Sequence, residues 1–252
     1  MKRETNEDGR RILLFDIDGT LTPCGKKISE EMIEVLREVY HRNNGDLGLV
    51  GGGTYGRILE QMGPAISYFK YIFAECGSVV YVDGFLFLEK NMLNVCDRDR
   101  LNLLIKRALI KIAEMPILHH GNPIDFRKGL VYISPPGMQA TSYERDIFLE
   151  KDREENLRRD LLADLRQHDP DRKFEICLGG AVGIAIYPPG WDKSQVVDFF
   201  LSTREKTTLF YFGDRTEPDG NDYPIFSHPH VRGISVTGPS DTIRQLTAMF
   251  SL

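Results

Sequence analysis

Along the first part of the chain, short apolar runs stop abruptly at polar or glycine positions and alternate with stretches where apolar residues recur every three or four positions. Residues 11–15 form such a run, ending in Asp16-Ile17-Asp18-Gly19-Thr20. A continuous apolar run of this length suits a strand buried on both faces, as in a parallel sheet. Ile28, Met32, Val35, Leu36, Val39 and Tyr40 then follow helical spacing, with Ser29 as the expected N-cap and Glu30 and Glu31 in the first turn. Residues 46–50 predict a second strand running into Gly51-Gly52-Gly53, followed by a helix through Ile58 and Met62 and a third strand at 71–73. Strands and helices alternating over short links indicate an open parallel sheet.

The pattern changes after a small hairpin that begins at Ser78 and turns at Asp83-Gly84. A helix over 98–114, a hairpin over 124–134 centred on Lys128-Gly129, one long charged helix over 142–167 and another hairpin over 174–187 are expected. Hairpins with helices imply an antiparallel sheet covered on one face. Beyond Gly190-Trp191-Asp192-Lys193 the first pattern returns, with buried strands at 208–212 and 233–236 and a last helix capped by Ser240. The predicted fold is α/β: a doubly wound, mostly parallel sheet with an inserted α+β cap. Residues 11–85 and 191–252 form the core, 86–190 the cap, and 1–10 a mobile tail.

Composition narrows the function. With 32 basic and 37 acidic residues the chain carries a formal charge of −5, which argues against a nucleic-acid partner, since phosphate backbones call for a basic excess. No apolar run approaches the roughly 18 residues of a membrane span, and the polar start has no signal-peptide core. A cytoplasmic protein is expected. Cys24, Cys76, Cys96 and Cys177 are too scattered for a zinc site or a disulfide framework.

Open α/β sheets place their chemistry beyond the carboxyl ends of the strands, where Asp16, Gly52 and Asp214 all stand. A carboxylate at such an end can attack phosphorus and form an aspartyl-phosphate, the role expected of Asp16. Asp18, two residues on, is within reach as general acid and base. Gly213-Asp214, followed by Asn221-Asp222, adds acidic oxygens of the kind Mg²⁺ prefers. Asp16, Asp18, Asp214 and Asp222 are thus the candidate metal ligands, with Asp16 and Asp214 sharing the ion. Lys193 is expected to orient Asp16 and neutralise its phosphorylated form.

Three elements in this order resemble the haloacid dehalogenase superfamily of phosphotransferases. Phe15-Asp16-Ile17-Asp18-Gly19-Thr20-Leu21-Thr22-Pro23, Val50-Gly51-Gly52, Phe126-Arg127, Gly190-Trp191-Asp192-Lys193 and Phe212-Gly213-Asp214 through Gly220-Asn221-Asp222 together resemble the eukaryotic phosphomannomutases, over almost the whole chain from Arg11. The resemblance implies interconversion of mannose 6-phosphate and mannose 1-phosphate for GDP-mannose synthesis. It also implies Mg²⁺, a hexose 1,6-bisphosphate activator, a phosphorylated hexose substrate and a homodimer joined through the cap. Arg127, Arg145, Gly52 and Thr54 are the substrate-binding residues it suggests, with Thr54 displaced by one position from the family's core serine. The pattern departs from the family at Gly25 and Met138, which replace arginines. It departs again at Ala181, Gly183 and Ala185, which replace polar sugar-binding residues, and at Gly53 and Cys76 in the core. A phosphatase acting on another phosphorylated substrate, or a weakly active or inactive homologue, therefore remains open beside the mutase.

Overall fold

The computed structural model describes residues 10–202 and 207–252. Its larger sheet contains β1 (Arg10–Phe15), β2 (Leu47–Val50), β3 (Tyr71–Ala74), β4 (Val79–Val82), β5 (Phe85–Glu89), β10 (Thr207–Gly213) and β11 (Val231–Ser235), in the order β11-β10-β1-β2-β3-β4-β5. The five strands from β11 to β3 pair in parallel, and β4 and β5 add an antiparallel edge. Side chains of β1 alternate between two buried layers. Leu13 and Phe15 pack with α1 (Glu30–Arg42), α2 (Tyr55–Met62) and α8 (Pro239–Phe250), and Ile12 and Leu14 with α6 (Gln195–Leu201) and α7 (Tyr223–Phe226). Burial on both faces accounts for the unbroken apolar run.

Within the cap, β6 (Ile124–Phe126), β7 (Val131–Ile133), β8 (Glu175–Gly179) and β9 (Gly183–Tyr187) form an antiparallel sheet in the order β6-β7-β9-β8. One face, carrying Val131, Ile133, Ile184 and Ile186, packs on α3 (Arg98–Ala113) and α5 (Leu157–Gln167). The alternate positions Tyr132, Ala185 and Tyr187, with Leu130 beside them, cluster with Cys76 of the core. Strand alternation thus turns one face of the cap onto its own helices and the other onto the core.

Several expectations need correction. The helix expected over 142–167 is two helices, α4 (Ser142–Glu155) and α5, broken at Asn156, which adopts the left-handed conformation. Asparagine tolerates that conformation better than most residues. The Asp152 carboxylate, accepting from the Arg158 backbone N–H at 2.7 Å, helps satisfy the start of the second helix. Ser240 does not cap α8, because Pro239 occupies the first helical position, where its missing N–H costs nothing. The larger sheet runs through Glu89, beyond the core boundary expected at 85. Arg10, expected in the tail, opens β1 and pairs with Asp46 at 2.5 Å. The remainder of that expected tail lies outside the described residues. Among the described residues, no helix is long and apolar enough to cross a membrane.

Candidate active site

The carboxyl ends of β1, β2 and β10 meet beneath the cap, around a cavity of about 380 Å³. Asp16, Asp18, Gly52, Arg127, Arg145, Lys193 and Asp214 all line it. Residues up to nearly two hundred positions apart in sequence are therefore neighbours here. Thr54 is not among the lining residues. It sits at the N-cap position of α2, and Gly53 takes the place at the wall. Asp222 is fully buried beneath the cavity rather than on its surface.

The floor is a cluster of charges. Lys193, with no solvent exposure, donates to Asp16 Oδ1, and to Asp222 Oδ1 at 2.6 Å. Burial works against its charge, but Asp16 and Asp222 outweigh that penalty and hold the ammonium above its ordinary pKa. Burial is also the main force on Asp16, pushing its carboxyl up to about 8 against the pull of Lys193, with Asp222 and Asp214 adding to the rise. Burial raises Asp214 as well. Buried ions of this kind stabilise a fold poorly, because lost hydration offsets most of their attraction. Their presence points to chemistry.

Ligand oxygens of Asp16, Asp214 and Asp222 lie within 4.8 Å of one another; Lys193 pairs with Asp16 and Asp222, and the Arg215 guanidinium lies 3.9 Å from Asp214, so three carboxylates stand against two cations. Asp214 Oδ1 and Asn221 Oδ1 are buried without a hydrogen-bond partner. Excess negative charge and unpartnered hard oxygens are what a divalent cation such as Mg²⁺ would satisfy. Gly19 is required beside them: its φ of +85° favours glycine, and a Cβ there would fall 2.4 Å from Asp214 Oδ2. The residues therefore fit the ion: Asp16, Asp214 and Asp222 bring their oxygens together, and the unpartnered Asn221 oxygen adds a neutral donor next to Asp222 in the chain. One of the expected ligands is placed otherwise. Asp18 points its Oδ1 at Gly25 N–H (2.7 Å) and Gln61 Nε2 (2.8 Å), outside the cluster. Asp222 belongs to the cluster, and its oxygens also accept from Lys193, Tyr211 and the Arg215 backbone N–H.

The roof is unlike the floor. Arg127 is committed within the protein: Nη1 donates to Gly52 O at 2.5 Å, Nε donates to Asp125 at 2.9 Å, and the guanidinium stacks on Tyr132. Arg215 similarly donates to Gly180 O at 2.8 Å, tying core to cap. Arg145 is different. Its Nη2 makes a long contact of 3.4 Å to Met138 O, while its buried Nε has no partner. An N–H left unsatisfied in a cavity wall is costly unless a ligand completes it. Around these arginines the roof offers Met138, Ala181, Val182 and Ala185. Gly183 is held small by its surroundings, since a Cβ would meet Tyr132 Cζ at 2.3 Å and Ile133 O at 2.5 Å. Tyr132 thus fills the space that a polar side chain would need at that position.

Comparison with known proteins shows the family. The family model for eukaryotic phosphomannomutase matches residues 28–252. Phosphomannomutase 1 of Homo sapiens is 35% identical over 245 residues, covering 96% of this chain and 92% of that protein. The Saccharomyces cerevisiae phosphomannomutase is 33% identical over 248 residues, covering 98% and 96%. The chain belongs to the eukaryotic phosphomannomutase family. Among solved structures, the C-terminal domain of Candida albicans trehalose-6-phosphate phosphatase superposes with a TM-score of 0.66 at 15% identity, covering 98% of this chain and 93% of that one. Plasmodium falciparum IMP-nucleotidase does so with 0.66 at 15%, covering 97% and 63%. At such identity these show the fold alone, a haloacid dehalogenase-like core with a cap.

Sequence reasoning had missed Gln61, Tyr211 and Asn221. Gln61 lies on a helix whose apolar spacing drew attention to Ile58 and Met62, and its bond to Asp18 spans 43 positions. Tyr211 read as part of a buried strand. Asn221 stood beside a more conspicuous acid, and its unpaired oxygen exists only in the folded chain.

Proposed function

We propose that the protein is a phosphomannomutase that interconverts mannose 6-phosphate and mannose 1-phosphate through an aspartyl-phosphate and a hexose bisphosphate, supplying GDP-mannose synthesis. The buried Asp16–Lys193–Asp222 cluster, with Asp16 and Asp18 lining one cavity, carries this reading. Lys193 holds Asp16 Oδ1, which leaves the other carboxylate oxygen to attack phosphorus. As that bond forms, the bond from phosphorus to the sugar oxygen breaks, and Asp18 gives the leaving oxygen a proton. Gln61 and the Gly25 N–H fix Asp18 Oδ1, so the proton moves at Oδ2. The phosphoryl group then passes from Asp16 to the free hydroxyl of the next mannose phosphate, with Asp18 taking that hydroxyl's proton; this re-forms the bisphosphate, which turns over before Asp16 attacks its other phosphate. Mg²⁺, held by Asp16, Asp214 and Asp222 with the Asn221 oxygen, would offset repulsion between the carboxylates and the phosphoryl oxygens.

A mutase must keep its bisphosphate intermediate while the sugar turns over, and so needs a grip on the phosphate that is not reacting. Arg145, with its unsatisfied N–H, is the group for that task. Arg127 serves by keeping cap and core together over the cavity. A homodimer formed through the cap is supported by exposed Leu103 and Ile110 on α3 and by Tyr143 and Ile147 on α4, and the working compartment is the cytosol.

The decisive experiment incubates the pure protein with mannose 1-phosphate, Mg²⁺ and a hexose 1,6-bisphosphate. Mannose 6-phosphate is expected, and Asp16→Asn should abolish its formation. No product from the wild type would refute the reading. Sedimentation in solution checks the dimer.

A further inference from the structure

We propose that Tyr211 is a positioning residue for phosphoryl transfer, holding Asp222 and through it keeping Lys193 on the nucleophile Asp16. The inference rests on the aspartyl-phosphate reading and extends it to a residue outside the cavity lining. Tyr211 lies on β10, beside Leu14 of β1, and is completely buried. Its ring packs in an apolar layer with Ile12, Leu14, Val197 and Ile225. A phenylalanine would serve that layer equally well, because a hydroxyl in apolar surroundings is a penalty unless it is hydrogen-bonded. Here the hydroxyl is bonded twice. It donates to Asp222 Oδ1 at 2.5 Å and accepts from Lys193 Nζ at 3.3 Å.

These contacts complete a closed set. An ammonium has three N–H bonds, and Lys193 directs them to Asp16, Asp222 and the Tyr211 oxygen. Asp222 in turn accepts from Lys193 and Tyr211 at Oδ1 and from the Arg215 backbone N–H, 3.0 Å away, at Oδ2. The phenol therefore shares the Asp222 charge with Lys193. Without it, Asp222 keeps Lys193 as its sole partner at Oδ1, and one ammonium N–H is freed to follow. The ammonium then shifts toward Asp222 and its hold on Asp16 weakens. Substrate groups in the cavity would be unaffected, so the loss should appear in turnover rather than in binding.

The test compares wild type with Tyr211→Phe in the full chain. Kcat is expected to fall about tenfold, the scale of one hydrogen bond to a charged acceptor, with KM for the phosphosugar unchanged. In a double-mutant cycle, Tyr211→Phe should add little on an Asp222→Asn background, because the phenol acts through Asp222. Beryllofluoride with Mg²⁺, followed by ¹⁹F NMR, reports the adduct on Asp16 without any sugar. Its apparent affinity should also fall about tenfold in the variant. Unchanged kcat and beryllofluoride affinity, a rise in KM alone, or additive losses in the cycle would each overturn the proposal. A variant that fails to fold overturns it too, since the ring is assigned to the fold and only the hydroxyl to the reaction. A wild type that takes beryllofluoride but does not interconvert phosphosugars refutes the mutase reading and leaves Tyr211 to be decided by the beryllofluoride arm. A wild type that takes neither sinks both.

Discussion

The floor and the roof of the cavity follow different physics. On the core side, charge is dense and buried: Lys193 lies between Asp16 and Asp222, with Asp214 alongside. On the cap side, Arg127 is bound to a core carbonyl, Arg145 is left partly unsatisfied, and the surfaces around them are small or apolar. The roof can take a sugar phosphate through few polar handles. Reaction and recognition have thus been placed on separate layers, and the departures from the family pattern fall mainly on the recognition layer. Of the five buried polar side-chain atoms without a partner among the described residues, Arg145 Nε, Asp214 Oδ1 and Asn221 Oδ1 all belong to residues lining this cavity, at both layers. Under the proposed function, a phosphate and a cation would complete them.

Breaking the roof should cost most at Arg145. Arg145→Ala is expected to lower kcat/KM roughly 10- to 100-fold, mainly through KM, because it removes a charge-assisted contact to phosphate. Steady-state kinetics with mannose 1-phosphate checks this, and an unchanged KM would mean that the phosphate is held elsewhere. Arg127→Ala should instead loosen the closed cap, since its donors go to Gly52 and Asp125. Faster proteolysis of the ligand-free protein is the measurement for that variant.

A smaller effect tests why the roof is apolar. Gly183→Ser should destabilise the chain by about 1–3 kcal/mol, because its Cβ runs into Tyr132 and the Ile133 carbonyl. Denaturant unfolding will show it, and Tyr132→Ala in the same chain should recover only part, since the carbonyl stays. Met138→Arg, which restores a cation to the lining, should raise kcat/KM by up to about tenfold. No gain would show that Arg145 already suffices.

The smallest expected change concerns the floor. Without a cation, burial lifts the Asp16 carboxyl of the folded protein up to about 8, above the usual 3.8. The native state therefore binds more protons across that window, and this group's contribution to stability falls as pH rises through it. In metal-free buffer, Asp16→Asn should raise Tm by about 2–4 °C near pH 8, after the lost pairing with Lys193 is subtracted, and by less near pH 4. A gain independent of pH would refute that origin.

Much of the fold was legible from periodicity. The Ser29 cap stands as expected, with its side chain accepting from the Met32 N–H, and the α+β insertion lies between two parts of one sheet. Errors arose where a local signal competed with a weaker one. The charged run over 142–167 hid the break at Asn156, and Ser240 drew the helix start away from Pro239. Thr54 seemed a substitute for a serine, yet backbone geometry turns it to the end of α2.

By itself the sequence determined the strand ends and the kinds of group that stand on them, because apolar runs, glycines and carboxylates act through local sterics and intrinsic chemistry. Only the tertiary structure decided which of those groups are free to act. Whether an arginine meets a phosphate or a carbonyl, and whether an aspartate faces an ion or a lysine, depends on contacts between residues far apart in the chain. Those contacts set burial and hydrogen-bond partners, which no periodicity encodes.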